Sequence, residues 1–67
     1  MEVRVGKMPG RIESYALDQG ATVGSALSVA GLDSEGFTIK VNNEIANSDK
    51  VLNDGDLILL VQQVKGN

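Results

Sequence analysis

Five consecutive aliphatic residues, Leu57-Ile58-Leu59-Leu60-Val61, follow the turn sequence Asn53-Asp54-Gly55-Asp56 near the end of a 67-residue chain. A strand with one face in water alternates apolar and polar side chains. An unbroken apolar run therefore reads as a strand covered on both faces or nearly so, and central in its sheet. A chain of this length buries only about 60% of the surface its unfolded form exposes, which limits it to one small domain and leaves no room for a catalytic cleft. Residues 1–67 are accordingly read as one domain ending in a short tail over 62–67.

The segments that could flank such a strand are visible upstream. Met1, Val3 and Val5 share one parity and are separated by charged residues, the period of a half-buried strand. Met8-Pro9-Gly10 carries turn chemistry and leads into a second extended run, Arg11 to Leu17, so the pair reads as a hairpin. Ile12 and Leu17 have opposite parity, and placing both in a core would require a bulge near Ser14 or Tyr15. Thr22 offers a side-chain N-cap, and Val23, Ala26, Leu27 and Ala30 follow at helical spacing up to Gly31, a C′ glycine. Gly24, Ser25 and Ser28 make this helix intrinsically weak, so it must be held by packing against a sheet.

A third strand is expected over Phe37–Val41, with Asn42-Asn43 turning the chain into Glu44-Ile45 as a second hairpin. Residues 46–53 form a polar connection anchored by Val51 and Leu52. The expected class is α+β: a mixed sheet of four to five strands, with two hairpins and a central last strand, packed on one helix.

Several function classes are set aside by composition. Nine acidic and six scattered basic residues give a net charge of −3, with no basic stripe for nucleic acid. Tyr15 and Phe37 alone make no stacking platform for single-stranded bases. No Cys and no His occur, so zinc sites, disulfides and cysteine or histidine catalysis are not expected. Asp54 and Asp56 at loop spacing are too few oxygen ligands for a calcium site and read as a turn, so neither metal nor cofactor is expected. Charged residues at Glu2, Arg4 and Lys7 interrupt any signal-peptide core, and with 42% hydrophobic residues the chain is too polar for a membrane protein; a cytoplasmic setting is expected.

Thr22-Val23 at a helix start, Ile39-x-Val41-Asn42, and Asp54-Gly55-Asp56-x-Ile58-x-Leu60 before a six-residue tail together resemble the sulfur-carrier branch of the ubiquitin-like β-grasp family. Its members include the thiamine-biosynthesis sulfur carrier and the small subunit of molybdopterin synthase. The resemblance spans the whole chain. It implies a β-grasp fold, no catalytic residues, and protein partners, among them an adenylating enzyme or a larger assembly. It also implies that the tail Val64, Lys65, Gly66 and Asn67 projects for docking or activation.

In that family the tail ends Gly-Gly and is adenylated and converted to a thiocarboxylate. Gly66 matches the first glycine, while Asn67 stands where the second belongs. Asn restores the bulk and backbone restriction that glycine avoids. An activated α-carboxyl on Asn also lies within five-membered-ring reach of its own side-chain amide, an arrangement of high effective molarity. The expected function is therefore a noncatalytic interaction or assembly module, with the activated sulfur carrier or ubiquitin-like modifier as the alternative. The resemblance implies that the last strand forms the partner face: Leu57, Leu59, Val61 and Gln63, with Val64, or the opposite parity with Ile58 and Leu60.

Overall fold

A computed structural model describes residues 1–63. The elements are β1 (Glu2–Met8), β2 (Ile12–Ala16), α1 (Val23–Ala30), β3 (Phe37–Val41), β4 (Glu44–Ile45) and β5 (Leu57–Gln62). The strands form one sheet in the order β2-β1-β5-β3-β4. The apolar last strand is central, parallel to β1 and antiparallel to β3, while β1–β2 and β3–β4 are antiparallel hairpins. This is the mixed sheet on one helix that the pattern implies, with five strands.

One sheet face carries Val3 and Val5 from β1, Val41 from β3, and Ile58 and Leu60 from β5. These form the core with Val23, Ala26 and Leu27 of the helix and Leu52 of the connection. Ile58 and Leu60 are completely buried. Burying a side chain of this size contributes about 1.5–3 kcal/mol, so this pair anchors the fold.

The weak helix is held as expected. Thr22 Oγ1 accepts the Ser25 N–H at 3.3 Å, and Gly31 ends the helix at φ 70°, its N–H reaching Leu27 and Ser28 carbonyls. The amides of Val23 and Gly24 donate to the carbonyls of Lys50 and Ser48 at 2.9 Å each. The connection before β5 thus satisfies two amides that a helix start leaves unpaired. Asn42 and Asn43 adopt φ 50° and 72°, the left-handed pair that a tight hairpin turn requires.

Three expectations need correction. The second strand is shorter than Arg11 to Leu17, and its register with β1 is unbroken from Ala16 opposite Glu2 to Ile12 opposite Gly6, with no bulge. The parity conflict disappears because Ile12 lies on the other sheet face and is 44% exposed, leaving Tyr15 and Leu17 to pack on the core. Val51 does not anchor the connection: it bridges to Thr22 through the backbone and is 56% exposed, while Leu52 alone is buried. Finally, β5 is covered fully on one face only. Leu57, Leu59 and Val61 on the other are half-buried, because a single helix can cover a single face.

Candidate protein-docking face

The face away from the helix is set by register. Leu57, Leu59 and Val61 of β5 stand beside Arg4, Gly6 and Met8 of β1. On the β3 side, Leu59 faces Lys40, Val61 faces Thr38, and Ile45 of β4 lies beyond Lys40. Ile12 sits opposite Gly6 at the β2 margin. A row of aliphatic side chains thus runs down the middle of the sheet, with exposed Met8, Ile12 and Ile45 around it. Ile45, at 78% exposure, stands almost wholly in solvent.

The charges beside this row are cationic although the chain is net negative. Arg4 is the registered neighbour of Leu57, and Lys40 that of Leu59. Gly6 keeps the centre of the face low. A Cβ there would stand 2.3 Å from the Arg11 carbonyl oxygen and 2.7 Å from Ile12 Cγ1, so the β1–β2 hairpin closes over a position that only glycine fits.

The rim at the start of β5 is tied by hydrogen bonds. Asp56 is buried; its Oδ1 accepts from Asn42 Nδ2 and its Oδ2 from the Asn53 amide, each at 2.8 Å. Asn42 Oδ1 in turn accepts the Leu57 N–H at 3.0 Å, and the Asn42 N–H donates to the Leu57 carbonyl at 2.9 Å. Asp54 Oδ1 accepts the Glu2 amide at 2.7 Å. The two aspartates are therefore turn clamps. Among the described residues no three His, Cys, Asp or Glu side chains gather as metal ligands, and no helix is long and apolar enough to cross a membrane.

Of the residues singled out from sequence, Leu57, Leu59 and Val61 lie together on the open face, whereas Ile58 and Leu60 of the opposite parity are sealed in the core. Gln63 is exposed, and its N–H donates to the Gly36 carbonyl at 3.2 Å. Val64, Lys65, Gly66 and Asn67 lie outside the described residues. Sequence reasoning missed Met8, Ile12 and Ile45 as surroundings of the row. It also missed Asn42 as a clamp; an Asn at a tight turn together with an Asp just before an apolar strand was the available signal.

Comparison with known proteins agrees with this architecture. None of the curated proteins matches the chain by sequence. Among solved structures, SAMP1 from Haloferax volcanii superposes with a TM-score of 0.79 at 20% identity, with all of both chains covered. A chain of the complex of subunits 1 and 2 of the molybdopterin-converting factor from Helicobacter pylori 26695 gives 0.74 at 18% identity, again with all of both chains covered. Ubiquitin from Caldiarchaeum subterraneum gives 0.66 at 15% identity, covering 100% of this chain and 98% of that one. These likenesses establish a ubiquitin-like β-grasp fold. The model of the ThiS family matches residues 8–66, most of the sequence, so the chain belongs to the ThiS family.

Proposed function

We propose that this chain is a noncatalytic docking module that seats a protein partner on its open sheet face, with the last strand and the tail over 64–67 forming the contact. The observation that carries the reading is the half-buried row Leu57, Leu59 and Val61 at the centre of a face left uncovered by the helix. Contiguous apolar surface of this kind marks interaction sites in small soluble proteins. Arg4 and Lys40 beside the row would favour a partner with carboxylates at the matching rim, which sets orientation more than affinity.

A second reading is supported by the family match, which extends to Gly66. On that reading an adenylating enzyme activates the C-terminus and a thiocarboxylate delivers sulfur, with the sheet face holding the carrier on its enzymes. Both readings need the face; they differ at the tail. The test is Leu59→Asp in protein expressed in its native host. Loss of a co-purifying protein partner, with folding retained, supports docking, and unchanged co-purification removes it. Intact mass separates the two readings. A gain of one oxygen-to-sulfur exchange, or an acyl-adenylate formed with ATP, establishes the carrier; an unmodified tail beside a stable partner leaves the docking module.

A further inference from the structure

The other side of the molecule carries a second feature that the docking face does not use. β2 is an edge strand, and its backbone pairing can be read from its end. The Met1 ammonium donates to the Leu17 carbonyl and the Leu17 N–H to the Met1 carbonyl, both at 2.7 Å. Hydrogen-bonded pairs recur at every second residue of an antiparallel ladder. Tyr15 and Glu13 therefore bond inward to Val3 and Val5, consistent with the Lys7 N–H reaching the Arg11 carbonyl at 3.3 Å. The N–H and C=O groups of Ile12, Ser14 and Ala16 point off the sheet. An open edge of this kind is a template for another strand.

Beside that edge, on the helix side, lies a cleft of about 190 Å³. Val5, Tyr15, Ala30 and Leu32 give it an apolar lining, and Lys7 and Arg11 stand at the turn end. Lys7 Nζ rests 5.0 Å from the centroid of the Phe37 ring on β3, which does not line the cleft, so its ammonium is drawn away from β2 and Arg11 is the cation at the cleft's turn end. Glu13 lies on the β2 wall, so attraction for a carboxylate is confined to the Arg11 end. The volume is below the roughly 300–1,000 Å³ of small-molecule sites, and suits one inserted side chain.

We propose that the β2 edge and this cleft together bind an extended segment of a partner protein. The segment pairs main chain to main chain with Ile12, Ser14 and Ala16, inserts one aliphatic side chain between Tyr15 and Leu32, and sets a carboxylate against Arg11. Strand addition supplies affinity through the backbone, and the cleft supplies selectivity. This surface meets the open face only at Ile12, whose side chain borders it, and is otherwise separate from the Leu57, Leu59 and Val61 row, so two partners fit on one chain where the first leaves Ile12 uncovered.

The test is an amide NMR titration of the full chain with two capped pentapeptides, each with three central valines, one flanked by aspartates and one by lysines. The expected result is perturbation of the Ile12, Ser14 and Ala16 amides and of Ala30 and Leu32. The aspartate peptide should bind at least about fivefold tighter, a factor worth about 1 kcal/mol. Arg11→Glu, an exposed change, should invert that preference. Three results overturn the proposal: no perturbation by either peptide up to about 1 mM, the weak limit of useful affinity; equal binding of the two; or perturbation confined to Leu57, Leu59 and Val61. Self-association of the free chain through the same β2 amides would also overturn it, assigning the edge to a second copy.

Discussion

Asn42 donates from Nδ2 to Oδ1 of Asp56 at 2.8 Å, tying the tip of the β3–β4 hairpin to the residue that precedes the central strand. The same carboxylate accepts the Asn53 amide at 2.8 Å, so one buried group fixes the β3–β4 turn and the loop entering β5. Asp56→Ala removes two hydrogen bonds to a charged acceptor, and because Asn42 and Asn53 are exposed enough for water to serve their donors, the net loss is about 1–1.5 kcal/mol for each bond. Chemical denaturation should show about 2–3 kcal/mol of destabilisation. A double-mutant cycle with Asn42→Ala should return a coupling energy of at least about 0.5 kcal/mol, and strict additivity would refute the clamp.

The left-handed turn makes opposite predictions for two substitutions at one site. Asn43 sits at φ 72°, where glycine is unstrained and a β-branched residue is not. Asn43→Gly should hold stability within about 0.5 kcal/mol, whereas Asn43→Val should cost about 1–2 kcal/mol. Equal melting temperatures for the two variants would contradict the turn assignment.

Gly6→Ala tests the closed hairpin. The added methyl would lie 2.3 Å from a backbone oxygen, which cannot move without disturbing the β1–β2 ladder. Overpacking of this sort costs about 1–3 kcal/mol. A variant as stable as the parent would show that β2 can shift freely.

Neighbouring residues on β5 should behave as different kinds of residue. Ile58→Ala empties a fully buried site and should cost about 2–5 kcal/mol. Leu59→Ala, on the open face, should cost under half of the Ile58→Ala value in the same urea titration, while weakening partner capture. Comparable losses of stability at both positions would mean that the open face is part of the core.

Much of the fold was legible because its signals are local. Val3 and Val5 alternate with charges, Thr22 and Gly31 bracket one helical stripe, and Asn42-Asn43 can hardly be other than a turn. The parity of the last strand was not legible, since an alternation cannot be read where Leu57 through Val61 are all aliphatic. Only the position of the helix decides that Ile58 and Leu60 turn inward. The bulge expected near Ser14 or Tyr15 failed for a related reason: it assumed that Ile12 belonged to the core, whereas Ile12 packs over Gly6 on the outer face. The cleft between β2 and the residues after the helix joins segments some twenty residues apart, and no periodicity announces it.

The strand order carries a consequence for biosynthesis. Among the described residues the pairs β2-β1 and β3-β4 meet only through β5, which follows the other elements in sequence. While the ribosome is still making residues 1–56, neither hairpin has its main partner and the apolar faces of β1 and β3 stay open. Isolated two-stranded hairpins are marginal in water. Folding must therefore wait for residues 57–62 and then proceed in one cooperative step, with the nascent chain exposed to chaperones and proteases until it does. A chain cut after Asp56 should show no cooperative unfolding transition by circular dichroism, and a sharp transition would break this link between strand order and timing.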